Sequence, residues 1–191
     1  MMAKKRTGEN IKKIIIDSTQ ALLQNKTFSE ISLKEIAKVA DISQGTLYYY
    51  YKTKDDLAVD VYFKYLDNLI DETVVWISNK EKDTSIHRIA KFTVLKGSSN
   101  SYLRLNSIIA SSTNERIRSK LLNSYDTFYQ TFYDRLKDYF CEEDTRFLAW
   151  LFPLITDGIN VQKYLKNPDF DIPQYAKDSE DFFLKVEKII K

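Results

Sequence analysis

The chain reads as all-α, and three features of the sequence carry that reading. Its 191 residues hold only four glycines and three prolines, too few to punctuate the many turns of a β fold. Apolar residues recur at i, i+3, i+4 and i+7 in one stretch after another, which is the spacing of an amphipathic helix. Ser32, Ser43, Thr53 and Asn114 each stand just before such a stretch, where a side-chain oxygen caps the first helical turn. With 43% apolar and 14% aromatic residues the chain can bury a substantial core.

Met1 to Glu9 is a polar arm in which Lys4, Lys5 and Arg6 cluster. Such an arm either reaches toward phosphates or stays solvated. Ile11, Ile14, Ile15, Ser18 and Leu22 then form one stripe of a first helix, from about Asn10 to Leu23. Ser32 and Glu35 make an S-x-x-E capping box, and Leu33, Ile36, Ala37 and Ala40 line one face of a second helix. Asp41 tolerates the left-handed conformation that ends it, and Ser43 caps a third helix almost at once. Two short helices joined so tightly cross at a steep angle, the helix-turn-helix geometry.

At about 3.6 residues per turn, Leu47 and Tyr51 face inward with Ile42, while Gly45 and Tyr49 point out, flanked by Thr46 and Tyr48. Gln44 stands at the exposed amino end. The outward set hydrogen-bonds or is small, and it is aromatic rather than aliphatic, which suits a helix in a DNA major groove. Four consecutive tyrosines argue against a plain surface hairpin, because only Tyr51 and in part Tyr50 can be buried. Thr53 caps the next helix and puts Lys54 at its first position, where amides and an ammonium can hold a phosphate.

From Asn10 to Leu66 the sequence resembles the DNA-binding domain of the TetR family of bacterial transcriptional regulators. The resemblance rests on the amphipathic first helix, Ile36-Ala37, Ile42-Ser43, Gly45-Thr46-Leu47-Tyr48 and Lys52-Thr53-Lys54-Asp55-Asp56-Leu57. Two positions depart from the family pattern: Asp41, and the Asn25-Lys26 pair, where the family usually has glycine. Asp and Asn tolerate positive φ better than most residues, so turn details change and the motif stands. The residues placed at DNA are Ser32, Lys34, Ser43, Gln44, Gly45, Thr46, Tyr48, Tyr49, Tyr50, Lys52 and Lys54.

A long helix from Thr53 to about Ser78 carries Leu57, Val61, Tyr65, Leu66, Leu69 and Ile70 on one side. In the family this helix joins head to body. Residues 79–84 read as a loop. Ile86, Ile89, Ala90 and Thr93 mark a shorter helix stopped by Gly97, and Tyr102, Leu105, Ile108 and Ile109 mark the next, to about Ser111. Asn114 opens the longest stripe: Ile117, Leu121, Tyr125, Phe128, Phe132, Leu136 and Tyr139. Its other side still holds Leu122, Tyr129, Tyr133 and Phe140, more aromatic surface than one core stripe needs. Residues 147–155 are apolar almost without a break, the pattern of a helix buried on more than one side. Pro153 should bend that helix, and Gly158 should let another helix approach. After the breaks at Asn167-Pro168 and Ile172-Pro173, a final stripe comprises Phe182, Phe183, Val186, Ile189 and Ile190.

The net charge of +2 divides unevenly: residues 1–54 carry +5 and residues 55–191 carry −3. A basic head on an acidic body is the electrostatic footprint of contact with nucleic acid at one end. A single cysteine, Cys141, forms no internal disulfide and fits a reducing cytoplasm. No apolar run reaches the ~18 residues of a membrane span, and the amino end has no signal-peptide pattern. There is no G-x-S-x-G, P-loop or G-x-G-x-x-G motif. His87 has no second ligand four residues on, and Cys141 sits beside Glu142 and Glu143, which argues against a redox-sensing thiol. Neither a metal, nor a cofactor, nor enzymatic activity is expected.

The sequence therefore predicts an all-α protein: an N-terminal three-helix helix-turn-helix domain (1–52) and a C-terminal helical domain (53–191) for ligand binding and dimerisation. The resemblance implies a homodimeric repressor joined through its last two helices. A small lipophilic or aromatic effector would release it from a double-stranded, pseudo-palindromic operator. The alternative is a DNA binder of the same type controlled by a protein partner or by no ligand; an enzyme with an incidental helix-turn-helix ranks third. The pocket candidates are Trp76, Phe92, Arg104, Tyr125, Phe128, Tyr129, Trp150 and Asn160. Arg104 would anchor an anionic group, although an exposed arginine is the commoner outcome.

Overall fold

The computed structural model describes residues 8–79 and 85–190, with residue 190 described by its backbone only. Among the described residues there are nine α-helices and no strand. They are α1 (Gly8–Leu22), α2 (Leu33–Val39), α3 (Gln44–Tyr50), α4 (Lys54–Ser78), α5 (Ile86–Gly97), α6 (Ser101–Ser111), α7 (Glu115–Leu136), α8 (Glu142–Tyr164) and α9 (Ile172–Ile190), with a 3-10 turn at Phe28–Glu30. The basic arm around Lys4, Lys5 and Arg6, the loop at 80–84 and the side chain of Ile190 lie outside the described residues.

Local chemistry sets most of the boundaries. Ser43, Thr53 and Asn114 accept hydrogen bonds from the backbone N–H of Thr46, Asp56 and Ile117 at 3.0, 3.0 and 3.2 Å. Ser32 likewise accepts from Glu35 N at 3.1 Å. The reciprocal half of the expected capping box is missing, because the Glu35 carboxylate pairs with Lys26 Nζ at 2.6 Å instead. Asp41 has φ 51°. Its N–H donates to Lys38 O, and Ile42 N–H donates to Ala37 O, the paired bonds that end a helix through a left-handed residue. The same pattern recurs at Lys166, with φ 52° and bonds to Lys163 O and Gln162 O from Lys166 and Asn167.

The core runs without interruption past residue 53. Ile15, Leu23, Ile36, Leu47 and Tyr51 cluster with Leu57, Val61, Tyr62 and Leu66 of α4, and the same cluster takes in Leu103, Ile117 and Leu121 from α6 and α7. A second cluster joins Ile77 at the far end of α4 to Ile86, Ile89, Phe128, Phe132, Phe152 and Phe183. In α1 the buried line is Ile15, Thr19 and then Leu23, rotated from the expected Ile14-Ser18-Leu22 edge. Thr19 can face inward because its hydroxyl donates to Ile15 O at 2.7 Å, which removes the penalty of a buried polar group.

Three expectations are corrected. Gly97 is not a left-handed stop, since no glycine has positive φ among the described residues. It is the point where α5 crosses α8: a Cβ there would lie 2.5 Å from Thr156 Cγ2. Gly158, expected to allow close approach of another helix, has no helix of this chain against it: it is exposed with nothing within 4 Å of its would-be Cβ. Finally, α8 is not buried all round. It continues unbroken through Pro153, yet leaves Phe147 65%, Trp150 42% and Leu154 58% exposed.

Gly97→Ala should therefore lower unfolding free energy by about 1–3 kcal/mol through overpacking. The companion change Thr156→Ser, which removes Cγ2, should recover part of that loss in chemical denaturation.

Candidate nucleic-acid interface and buried cavity

On α3, Leu47 is fully buried and Tyr51 nearly so, while Tyr48 is 48% and Tyr49 74% exposed. Gln44 and Gly45 are exposed beside them, and Thr46 is half-buried. The Tyr51 hydroxyl donates to Asp60 Oδ2 at 2.9 Å. Burial first, and then this carboxylate, push its pKa upward. Tyr50 is half-buried and meets Tyr49 edge-on at 5.2 Å, and Lys52 Nζ lies 6.0 Å from the Tyr49 ring. The outer surface of α3 is thus a platform of two tyrosines held from beneath by a third.

The remaining expected contact residues divide by what their side chains already do. Ser32 and Ser43 spend their hydroxyls as helix caps, and Ser43 also shares a 2.8 Å bond with Thr46 Oγ1. Lys34 and Lys52 are exposed cations. Lys54 is half-buried, with Nζ 5.0 Å from the Phe28 ring centroid, and burial pushes its pKa down. Gly45 has only Ser43 Oγ near its would-be Cβ, at 3.7 Å. Nothing within the fold requires glycine there.

In the body, α4 to α8 line a partly open cavity of about 40 Å³. Phe92, Phe128, Phe132 and Pro153 form its apolar wall, and Arg104 enters it from α6. Arg104 is 2% exposed, which corrects the expectation of an exposed side chain. Its Nε and Nη2 donate to Asp157 Oδ1 and Oδ2 at 2.6 and 3.0 Å, and its Nη1 is buried without a partner. The Tyr125 hydroxyl also donates to Asp157 Oδ2, and the guanidinium carbon lies 4.9 Å from the Tyr125 ring centroid. Burial alone would lower the Arg104 pKa, but the bond and charge of Asp157 reverse this and the net direction is upward. Tyr125 is pushed up to about 12, by burial first, with Arg104 opposing and Asp157 adding.

Of the eight pocket candidates, Phe92, Arg104 and Phe128 line this cavity. Trp76 stacks flat on Phe92 at 3.8 Å and 4°, and Tyr125 supports Asp157. Tyr129 and Trp150 meet each other at 5.2 Å and are not part of the lining. Asn160 is fully buried one turn beyond Asp157. Its Nδ2 donates to Thr156 O at 2.8 Å and its Oδ1 has no partner. Asp157 was absent from the candidates. The available signal was an arginine in the apolar α6 and a lone acid between Asp144 and Asp169, since a buried guanidinium demands a carboxylate. His87, on α5, pairs through Nδ1 with Glu187 of α9 at 2.8 Å.

One helix touches both regions. Two residues after Arg104, Asn106 accepts from Phe28 N–H at 3.1 Å and donates to Tyr102 O at 2.7 Å. Phe28 is the ring on which Lys54 rests.

Residues 15–61 match the family model described as bacterial regulatory proteins, tetR family. These residues thus carry a DNA-binding domain of the TetR family of bacterial transcriptional regulators. A relative, the HTH-type transcriptional regulator EthR of Mycolicibacterium smegmatis, is 34% identical over 71 residues, which span 36% of this chain and 33% of that protein. The fold is shared with a transcriptional regulator from Saccharomonospora viridis solved in complex with choline. That comparison has a TM-score of 0.77 and 17% identity over 91% of this chain and 95% of that one. It is shared also with the fatty acid degradation regulator FadR of Bacillus halodurans, with a TM-score of 0.66 and 17% identity over 95% and 97%. The TetR-type match covers α3 and the first turns of α4, where the tyrosine platform stands. Among the described residues no helix is long and apolar enough to cross a membrane.

Two substitutions separate fold from function on this surface. Gly45→Ala should stabilise the free protein slightly, by less than the ~1 kcal/mol that glycine costs in a helix interior because position 45 lies in the first turn of α3, while weakening DNA binding. Tyr48→Ala should leave stability nearly unchanged and cost more than ~1 kcal/mol of specific binding in a titration at fixed salt.

Proposed function

We propose that this TetR-family chain is a cytoplasmic repressor. It would act as a homodimer on a pseudo-palindromic operator and be released by a small lipophilic or aromatic effector. The observation that carries the proposal is the outward surface of α3: two exposed tyrosines, an exposed glutamine and a glycine the fold does not need. Glutamine can read adenine, and tyrosine hydroxyls reach base edges or phosphates. In this reading residues 1–52 are the DNA-reading head and 53–191 the regulatory and dimerisation body.

The unfinished surface of α8 supports a dimer. Phe147, Trp150, Leu154, Val161 and Leu165 are all exposed, and their spacing places them along one side of the helix. Gly158 lies among them with open space before it, so a second helix could pack closely there. α9 adds Phe182 and Ile189, likewise exposed. A four-helix contact made of α8 and α9 from two copies would cover this surface. It would also set the two α3 helices one DNA turn, ~34–36 Å, or a multiple apart.

Release requires that a ligand bind one conformer better than another. α6 is the means, because it presents Arg104 to the cavity and holds the Phe28 turn through Asn106. A displacement of α6 would loosen the head, and α4 would carry the change to the α3 platform. The size of the cavity favours a second reading as well. At about 40 Å³ it falls well short of the ~300–1,000 Å³ typical of ligand pockets. A regulator answering to a protein partner, or to no ligand, would keep such a filled body.

Binding to the promoter beside its own gene and to random duplex, compared at one salt concentration, tests the regulator. Tight binding to the promoter alone is expected, and equal weak binding to both would refute it if genome-wide selection also yields no site. Phe147→Glu with Leu154→Glu should give a folded monomer by light scattering and lose about 10²-fold or more in operator affinity, as loss of linked half-sites requires.

A further inference from the structure

We propose that the cavity beside Arg104 is a subsite for an uncharged carbonyl oxygen, so that the effector is a small ketone, aldehyde, ester or amide on an apolar body. This rests on the reading that the body takes a small-molecule effector, and it names the chemistry of that effector.

The guanidinium of Arg104 carries five N–H donors in a fixed fork. Asp157 engages Nε and Nη2, and the two hydrogens on Nη1 meet no partner among the described residues. Arg104 is 2% exposed, so bulk water does not serve them. An unmade hydrogen bond at a buried charged group is costly, and an acceptor entering the cavity would remove that cost. Around Arg104 the wall is mostly apolar, with Leu69, Phe92, Phe128, Phe132 and Pro153, and its polar members are Thr73, Thr93, Lys96 and Thr156. The threonine hydroxyls whose bonds are defined there are turned back on their own helices: Thr93 donates to Ile89 O and Thr156 to Phe152 O. The missing group is therefore an oxygen acceptor attached to something apolar.

Charge balance decides between a neutral and an anionic acceptor. Arg104 and Asp157 already cancel, and both Asp157 oxygens are occupied, one by Nε and the other by Nη2 and Tyr125. A carboxylate would bring a second negative charge into the site, where the other lining cation, Lys96, is already paired with Glu72, and burying an uncompensated charge is strongly unfavourable. An ammonium would meet the guanidinium and find Asp157 saturated. A carbonyl oxygen adds no charge, needs no acceptor and offers two lone pairs to Nη1. The cavity, of about 40 Å³, holds the equivalent of about three waters, enough for the carbonyl end, and its wall residue Phe92 is stacked on Trp76.

The test titrates full-length protein, with nitrogen-15 in its arginines, against four probes of one shape: cyclopentanone, methylcyclopentane, cyclopentanecarboxylate and cyclopentylammonium. Cyclopentanone should shift the Arg104 Nε–H signal saturably and bind at least about tenfold more tightly than the other three, as a site built to donate hydrogen bonds requires. Arg104→Lys, which keeps a cation for Asp157 but lacks Nη1, should lose the ketone by about tenfold or more in ligand-observed NMR. Thr73→Leu, which fills the cavity from α4 and leaves Arg104 and Asp157 paired, should lose it too, so the test survives if Arg104→Lys fails to fold. Equal or tighter binding of the carboxylate or the hydrocarbon, unchanged ketone binding in the folded variants, or no binding of any probe would each overturn the subsite. Promoter binding measured on the same samples separates the two failures. Specific DNA binding without a ketone site leaves the regulator standing, and a ketone site without specific DNA binding does the reverse.

Discussion

Helix α4 belongs to two cores at once, and this constrains everything else. Its first half packs Leu57, Val61, Tyr62 and Leu66 among the residues that hold α3 in place. Its last turn puts Ile77 among the phenylalanines of α7, α8 and α9. Twenty-five helical residues span about 37 Å, and a helix of that length with a continuous hydrogen-bond ladder moves as one piece. Close-packed interiors switch between discrete arrangements rather than deforming smoothly. A change at the body end of α4 must therefore be answered at the head, or be refused by it.

The polar interior follows from a different necessity. Taking a guanidinium out of water costs several kcal/mol even after relaxation, and Asp157 offsets this with two bonds from one fork. The partner is drawn from α8, so the pair ties α6 to the helix that carries the exposed apolar stripe. Tyr125 adds a bond from α7 and lays its ring against the guanidinium. Three helices are thus joined at one charged point inside an apolar wall. A buried pair of this kind is weak evidence for stability, but removing either partner alone would leave an uncompensated buried charge, so the three helices are held in one mutual arrangement.

What could be read from the sequence and what could not divides along a physical line. The caps at Ser43, Thr53 and Asn114, the Asp41 turn and the inward Leu47 and Tyr51 depend on residues within a turn of one another, and local chemistry is legible. Gly97 ends α5 as expected, but its contact with α8 was not legible, and Gly158 meets no helix of the chain, because close approach is a property of two helices. A glycine shows that a Cβ is absent without showing what stands opposite. Thr19 was missed because its hydroxyl is satisfied within α1, so a polar residue sits where the pattern calls for an apolar one. Arg104 was among the pocket candidates, but its full burial was not legible because it depends on a carboxylate 53 positions away. The apolar run in α8 predicted burial on more than one side, and within the chain Phe147, Trp150 and Leu154 stay exposed, because an apolar run does not say what stands opposite each of its faces.

That last point bears on how the chain finishes itself. A protomer that leaves Phe147, Leu154, Leu165 and Ile189 in water exposes aligned apolar surface of the sort that marks an interaction site. Its tyrosine platform on α3 is likewise unfinished, but it is aromatic and hydroxylated rather than aliphatic, and it caps a head with a positive charge balance. The two surfaces differ in chemistry, one apolar and uncharged, the other aromatic and hydroxylated on a positively charged head. The continuous core between them means that satisfying one fixes where the other is presented. Two short helices would grip DNA weakly alone; joined through α8 and α9 they would grip it as a pair whose separation the shared core holds.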